Sequence, residues 1–386
     1  MIKMQTAFTT ELDDPQTAAE DILSQLDLDA LPSNNVGIIT FYQDAPETGV
    51  LAAISEALPF ESVGGSVLSS GTEHEFGFEQ VSVAVLSSDD VKFSIAVSGE
   101  ITTENAEDMT RACYRDALSK LDGPPSLIFA FTPMSENISG DRYVLALDDE
   151  SEGVPVFGTI ANAGLSFDDA RVVHNGEAKQ FIISLLLFSG DVNPRFFTTA
   201  ISDSNITRKG SFVTESDGYY LRKINNVAVE DYLVGIGVVT GNTGAIAALP
   251  ILIDYKDGTK PTAYNMYSNT ENGTLVGGPV PVGSEIVFAD VDYDSIMSTA
   301  DDALKMLLSD IEQHGASAVF IIPCLSRCLT LGHQSEDEMK KTAEVLGQHT
   351  PYLFLYSGGE FCPVSDGEGK LVNRFHNMTY TALVLD

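Results

Sequence analysis

The side chains best suited to chemistry begin directly after an apolar run at residues 318–323. Cys324 and Arg327 come first. Arginine binds carboxylates through two parallel hydrogen bonds, so Arg327 could hold a carboxylate ligand. It could also lower the pKa of the Cys324 thiol and make it a nucleophile. In the simpler interpretation, Cys324 is a small buried residue and Arg327 forms a surface salt bridge. The sequence leaves these interpretations open.

Further polar residues follow a double glycine and precede the last apolar run of the chain. Glu360 could anchor a ligand ammonium, or it could be a solvated carboxylate in a turn. His376 and Asn377 could form a Cys–His–Asn hydrolase site with Cys324, and Ser357 is a second possible nucleophile. Such sites are defined by geometry, which sequence spacing does not supply. Catalysis therefore stays an alternative, and we expect binding.

Several apolar runs end in small residues. The sites are Gly64-Gly65-Ser66, Gly158, and Ser357 to Gly359. Glycine lets the backbone approach a ligand closely, and ligands of open α/β sheets gather beyond the carboxyl ends of strands. Tight turns would explain each glycine equally well. The recurrence of the pattern favours a shared crevice.

Composition excludes several classes of partner. The 386 residues include 21 basic and 56 acidic side chains, a formal charge of −35, which repels nucleic acid and anionic membranes. We predict no nucleic-acid partner, no membrane partner, no metal and no cofactor, because motifs for phosphate loops and zinc sites are missing. No signal peptide or membrane span is predicted, and we expect a cytoplasmic protein.

The order of predicted elements repeats along the chain. The apolar runs that begin at Val36 and Leu127 lie 91 residues apart, and Gly64 and Gly158 lie 94 apart. Both offsets suggest an old duplication covering about 34–100 and 125–205. Each copy would end in a pair of strands, at 81–86 with 91–97 and at 181–188 with 195–201. A diverged third copy is expected to close the chain.

We therefore predict an α/β protein with mixed sheets whose faces are covered by helices. Residues 1–33 would form a helical lead-in, 34–220 an N-terminal domain of two repeats, and 221–386 a C-terminal α/β domain. Helices are predicted at residues 49–58, 104–121, 294–314 and 336–346 from the spacing of their apolar residues.

The C-terminal motifs resemble those of FIST proteins. They are Cys324-x-x-Arg327, Leu331-Gly332, residues 356–360 (YSGGE) and residues 375–379 (FHNMT). Residues 281–283 (PVG) and 221–228 (LRKINNVA), with Tyr232, resemble the family's turn before a helix and its join between halves. Asn225-Asn226 replaces the usual Asp-Gly, and we expect the turn to keep its left-handed geometry. Gly65 stands where the N-terminal turn of the family carries cysteine.

The resemblance covers about residues 34–386 and implies a sensory module of signal transduction that binds a small ligand such as an amino acid. Residues 34–220 would be of FIST N type and 221–386 of FIST C type, in a stand-alone sensor that signals through a partner. Arg327 would take a carboxylate and Glu360 an amine. The alternatives are a hydrolase or transferase using Cys324 or Ser357, and an acidic protein-interaction module without a small ligand. The predicted ligand-binding residues are Gly64, Gly65, Ser66, Gly158, Cys324, Arg327, Ser357, Gly359, Glu360, His376 and Asn377.

Overall fold

A computed structural model describes residues 1–135, 138–164, 169–238, 245–348 and 350–386, and for residues 245–248 it describes the backbone alone. The chain builds three α/β units in succession, and a further sheet is inserted into the third. The first unit contains strands β1 Lys3–Thr9, β2 Asn34–Phe41, β3 Ser62–Ser66, β4 Ser70–Thr72, β5 Phe76–Gly77 and β6 Val81–Ser88, and helices α1 Pro15–Ser24, α2 Ala45–Thr48 and α3 Val50–Ala57.

The second unit follows after a short turn. It contains strands β7 Lys92–Val97, β8 Pro125–Thr132, β9 Val156–Ile160, β10 Val172–His174, β11 Glu177–Lys179 and β12 Ser184–Ser189, and helices α4 Ala106–Lys120 and α5 Gly140–Ser151.

The third unit opens with β13 Arg195–Thr199 and is interrupted by the inserted sheet. The inserted elements are β14 Ile206–Asp217, β15 Tyr220–Ile224, β16 Val227–Ala228, α6 Val229–Gly235, β17 Ala245–Asp254, β18 Thr262–Thr270, β19 Gly273–Val276 and β20 Glu285–Ala289. The unit resumes with α7 Tyr293–His314, β21 Ala318–Pro323, α8 Leu325–Leu331, α9 Asp337–Leu346, β22 Tyr352–Leu355, β23 Glu360–Phe361, β24 Val364–Ser365, β25 Leu371–Val372, β26 Phe375–His376 and β27 Tyr380–Leu385.

Three six-stranded sheets share one strand order. Their orders are β1-β6-β2-β3-β10-β11, β7-β12-β8-β9-β23-β26 and β13-β27-β21-β22-β4-β5. In each sheet the central pair is parallel (β2 with β3, β8 with β9, β21 with β22), as expected for strands joined by a helical crossover. Whether this shared order arose by duplication stays a prediction.

Each sheet is completed by strands from a different unit. The first unit supplies β4 and β5 to the third sheet, the second supplies β10 and β11 to the first sheet, and the third supplies β23 and β26 to the second sheet. This cyclic exchange ties the three units together through backbone hydrogen bonds. It also places the loops that follow the parallel strands beside one another.

The inner faces of the three sheets form one central apolar core. Phe129 of the second unit packs edge-on against Phe320 of the third, with ring centroids 5.1 Å apart, and both side chains are fully buried. Asn162 lies at the carboxyl ends of the strands and is also fully buried. Its side-chain oxygen accepts from the Leu68 amide at 3.0 Å and its side-chain amide donates to the Tyr356 carbonyl at 2.7 Å, so one residue links all three units.

The sequence-based expectations agree with these elements in part. The mixed α/β class is confirmed, and the helices predicted at 49–58, 104–121, 294–314 and 336–346 agree with α3, α4, α7 and α9 within two residues at each end. The expected left-handed Asn225-Asn226 turn is also confirmed, with φ of 51° and 64°.

Two other expectations need correction. The lead-in at residues 1–33 is not only helical, because residues 3–9 form β1, which pairs antiparallel with β6 along its whole length. The strands at 81–86 and 91–97, read as a pair, belong to β6 and β7 in different sheets. The structural units therefore begin at β1 and β7, and not at residues 34 and 125.

The inserted sheet closes on itself. Its order is β14-β20-β17-β18-β19-β15-β16, and β14 also pairs with β15. Residues of β18 face the third unit, so this sheet forms one wall of the region described next. Among the described residues, no helix has both the length and the apolar character that crossing a bilayer requires.

Candidate functional site

A set of buried and half-buried polar residues lies where the carboxyl end of β21 meets the inserted sheet. We call it the Glu360 cluster, and its members are Asn265, Tyr267, Cys324, Ser326, Glu360, His376, Asn377 and Thr379.

Backbone hydrogen bonds fix the centre of the cluster. The Cys324 amide donates to the Thr379 carbonyl at 2.9 Å, and the Leu325 amide donates to the Ser357 carbonyl at 2.7 Å. The chain turns from β21 into helix α8 at this point, so Cys324 sits at a strand end between the residues that follow β22 and precede β27.

Glu360 is the carboxylate of the cluster and is fully buried. Its Oε2 atom accepts a hydrogen bond from Thr379 Oγ1 at 2.7 Å. Its Oε1 atom has no hydrogen-bond partner among the residues that the structure describes. Burial raises the pKa of the Glu360 carboxyl well above its usual value, while the hydrogen bond from Thr379 acts in the opposite direction.

His376 is the cross-strand neighbour of Glu360 in the β23–β26 pair, so both side chains lie on the same face. The ring Nε2 is 2.9 Å from the carbonyl oxygen of Cys362 and therefore carries the hydrogen, which leaves Nδ1 as an acceptor. Burial lowers the pKa of His376 to about 4, so the ring is neutral at pH 7.

The inserted sheet contributes the other wall. Asn265 is fully buried, and its Nδ2 donates to Ser326 Oγ at 3.0 Å. The hydroxyl of Tyr267 donates to Asn377 Oδ1 at 3.3 Å. Tyr267 and Ser326 are half-buried, so they form the edge of the cluster that faces solvent. The Asn377 amide donates to the Ala263 carbonyl at 2.9 Å and attaches this residue to β18.

Arg327 is placed differently from the sequence-based expectation. Its guanidinium is fully buried and bonds to Glu338 Oε1 at 2.9 Å from Nε and 2.5 Å from Nη2. The remaining hydrogen bonds go to Thr299 Oγ1 and the carbonyls of Ile296 and Met378. We expected the guanidinium to hold a ligand carboxylate or to form a surface salt bridge, and the structure gives it these buried partners within the chain. The Glu338 carboxylate, eleven residues further along the chain, faces the Arg327 guanidinium from helix α9 and pairs with it.

Ser357 and Gly359 form a closed turn. The Ser357 hydroxyl donates to the Gly359 carbonyl at 2.5 Å and accepts from Thr159 Oγ1 at 2.7 Å and the Gly359 amide at 3.0 Å. Among the residues that the structure describes, the partners of this hydroxyl are two backbone groups and a threonine, and none of them is a base that would make it a nucleophile. A side chain at Gly359 would overlap the Phe375 ring, so tight packing explains this glycine.

The predicted glycines in the first two units contact neighbouring backbone. A side chain at Gly64 would overlap the carbonyl of Ile39, and one at Gly158 would overlap that of Ala130. These are the adjacent residues on the parallel partner strands. Gly65 and Ser66 also lie in β3, where Ser66 Oγ accepts from the Arg171 amide at 2.8 Å. Of the predicted residues, the structure brings Cys324, Glu360, His376 and Asn377 into the cluster.

The environment of Cys324 does not favour a nucleophile. The residue is 1% exposed, and burial together with the Glu360 charge raises the pKa of its thiol far above the usual value. A reactive thiol needs the opposite shift. The His376 ring forms its hydrogen bond with the Cys362 carbonyl.

Sequence reasoning missed four members of the cluster. Thr379 belongs to the FIST-like motif at residues 375–379, so the sequence did mark it as a candidate. Ser326 lies between Cys324 and Arg327, which were both predicted to bind the ligand. Asn265 and Tyr267 come from a strand far along the chain and carry no local signal.

The ionisation of Glu360 should appear in the pH dependence of stability. Since the folded-state pKa is raised, this group stabilises the fold when protonated, and the free energy of unfolding should fall as pH rises above about 4.5. Glu360→Gln removes this term, so its stability relative to wild type should increase between pH 5 and 8, by up to about 1.4 kcal/mol per pH unit. Urea unfolding of both proteins across this range measures the difference. A constant difference would show that Glu360 ionises as freely in the folded protein as in the unfolded chain.

Comparison with known proteins places this chain in a family. The FIST N domain model matches residues 6–227, and the FIST C domain model matches residues 228–363. The chain belongs to the FIST family, whose domains are associated with sensory signal transduction and small-ligand binding. The resemblance to the FIST family is thus confirmed.

No curated protein matches the chain. Among solved structures, the cyanuric acid hydrolase from A. caulinodans aligns over 100% of this chain and 99% of its own, with 11% identity and a TM-score of 0.34.

Proposed function

We propose that this protein is a sensor that binds the ammonium group of a small ligand, an amino acid or a related metabolite, at the Glu360 cluster and signals through a partner protein. The observation that carries the proposal is the unpartnered Oε1 of a fully buried glutamate. Buried polar atoms are almost always hydrogen-bonded, and an exception asks for an explanation. A bound cation would supply one.

The electrostatics support a cationic group. Without a ligand, burial favours the neutral form of Glu360. A positive charge within hydrogen-bonding distance would favour the carboxylate and form a charge-assisted hydrogen bond in a region that excludes water. The site therefore gains most from a ligand that arrives as a cation.

The position of the cluster suggests how binding could be reported. Its residues come from the third unit and from the inserted sheet, and most of them are closed to solvent. We expect a ligand to enter at the half-buried edge formed by Tyr267 and Ser326, where the hydrogen bonds to Asn377 and Asn265 would have to open. A ligand that binds one arrangement of these two parts better than the other would shift their equilibrium, which is what a partner could sense.

A thermal-shift screen of amino acids and simple amines tests this function. A ligand at 100 times its dissociation constant should stabilise the wild-type protein by about 2.7 kcal/mol. The effect should be lost in Glu360→Gln, which removes the negative charge at the same size. Asp141→Asn is the matched control, because Asp141 is also a buried carboxyl with a raised pKa but lies against Ser139 and Tyr219.

The control should keep the ligand response. If every stabilising compound acts equally on wild type and Glu360→Gln, the ligand binds elsewhere and the proposed site is wrong. If no compound stabilises wild type, the ligand-binding function itself is not supported.

A further inference from the structure

Asp141 is a buried carboxyl that lies between the second unit and the inserted part of the chain. It belongs to the first turn of helix α5, and only 5% of its surface is exposed. Its Oδ2 atom accepts a hydrogen bond from the Tyr219 hydroxyl at 2.8 Å. Its Oδ1 atom is 2.5 Å from Ser139 Oγ, which is also 2.6 Å from the carbonyl oxygen of Gly277. Because Tyr219 and Gly277 belong to the inserted part, these contacts join it to the second unit.

The number of hydrogens decides the charge of Asp141. A serine hydroxyl carries one hydrogen, whereas a carbonyl oxygen and an ionised carboxylate only accept. If Asp141 were ionised, Ser139 would face two acceptors at 2.5 and 2.6 Å with one hydrogen to share. A protonated Asp141 donates to Ser139, and Ser139 donates to the Gly277 carbonyl, so each short contact contains a hydrogen. The geometry therefore fits a neutral carboxyl.

The electrostatic surroundings of Asp141 agree with this assignment. Burial raises the pKa of its carboxyl, and its hydrogen bonds and the charge of Arg142 act in the opposite direction without cancelling the rise. The other titratable groups around it are Glu107 on α4, Tyr219 in the turn between β14 and β15, and Tyr255 and Tyr264 of the inserted part. Glu107 is paired with Arg142 at 2.5 Å. The three tyrosines are neutral at pH 7, since burial raises the pKa of each.

The Gly277 peptide also borders the Glu360 cluster. Its amide donates to the Asn265 carbonyl at 2.9 Å. A side chain at Gly277 would overlap Asn377 Oδ1, so the backbone lies directly against that residue. Gly277 therefore connects Ser139 to one wall of the cluster.

We propose that Asp141 is a proton-dependent latch that fastens the Gly277 wall of the Glu360 cluster to the second unit. With the proton, the hydrogen bonds from Asp141 through Ser139 to Gly277 are complete. Without it, the Ser139 hydrogen turns to the carboxylate, and the Gly277 carbonyl loses this donor. Since the closed latch holds the proton more tightly than an exposed carboxyl does, rising pH favours opening. Ligand entry would then depend on pH, a consequence that rests on the proposed function, whereas the latch itself does not.

Hydrogen exchange at residues 273–280, measured without ligand, tests the latch. Asp141→Asn is the central variant, because its side-chain amide donates to Ser139, its oxygen accepts from Tyr219, and it does not ionise. The exchange rate of wild type is divided by that of Asp141→Asn at each pH, so that the intrinsic pH dependence of exchange cancels. Above the ordinary carboxyl pKa of 3.8, this ratio should rise by up to about tenfold per pH unit until the closed latch is also ionised. Ser139→Ala removes the link to Gly277, and its exchange should be about fivefold faster than that of Asp141→Asn at every pH.

Ser94→Ala is the matched control for loss of a buried hydroxyl. Ser94 also lies in the second unit, but it donates to the Ala117 carbonyl at 2.9 Å, so this variant should leave exchange at residues 273–280 unchanged. Peptides that cover β8 report global unfolding.

Three results would overturn the latch. A ratio that stays constant with pH would show that Asp141 ionises as readily in the closed latch as when exposed. Exchange in Asp141→Asn as fast as in Ser139→Ala would show that Asp141 acts as a carboxylate. Equal changes in β8 would show that the whole fold, and not this contact, responds to pH. Each of these results leaves ligand binding to be decided separately by the Glu360→Gln thermal shifts.

Discussion

Replacing Arg327 by methionine is expected to lower the free energy of unfolding by about 3–5 kcal/mol. The change leaves the Glu338 carboxylate fully buried without its cation. It also removes the donors that reach Thr299 and the carbonyls of Ile296 and Met378, which join helix α7 to the approach of β27. Urea unfolding followed by circular dichroism measures the loss.

Arg115→Met is the matched control, since Arg115 also pairs with a glutamate, Glu150, at 2.9 Å, but its side chain is 61% exposed. Exposed pairs contribute little, so this variant should lose less than about 1 kcal/mol. Arg327→Met combined with Glu338→Leu should recover much of the stability, because no charge is then buried alone. Equal losses in the two single variants would mean that the buried pair contributes no more than a surface pair.

Gly64→Ala is expected to destabilise the protein by more than about 4 kcal/mol. The added methyl group would overlap the carbonyl oxygen of Ile39 on the paired parallel strand. Backbone atoms cannot rotate away as a flexible side chain can, so β2 and β3 would have to separate and lose their hydrogen bonds. The yield of folded protein and the urea midpoint report the change.

Gly65→Ala is the control for the neighbouring position in the same strand. Its added methyl group would lie 3.1 Å from the Ala161 side chain, a contact that a small shift relieves. We expect a loss of about 1 kcal/mol or less. A tolerated Gly64→Ala would contradict the close approach of β2 and β3, and the recurrence of glycine at Gly64 and Gly158 would need another cause.

Local signals predicted the strongly periodic elements. Helix α7 was evident because Ile296, Ala300, Leu304 and Leu307 recur at helical spacing. Helix α5, residues 140–151, was missed, and its last turn carries a run of acidic residues, which the helix dipole disfavours. The exchanged strands β5, β23 and β26 were beyond reach, since two residues carry no periodicity and the sheets that these strands complete are built mainly from other units.

The sequence by itself determined the class of fold, the FIST motifs and the presence of Glu360 and Cys324 after apolar strands. Only the tertiary structure decided which charged and polar groups are paired. It paired Arg327 with Glu338, brought Asn265 and Tyr267 from the inserted sheet, and left Glu360 Oε1 unpartnered among the described residues. The physical reason is that periodicity and motifs are local, whereas burial and the pairing of polar groups depend on residues distant along the chain.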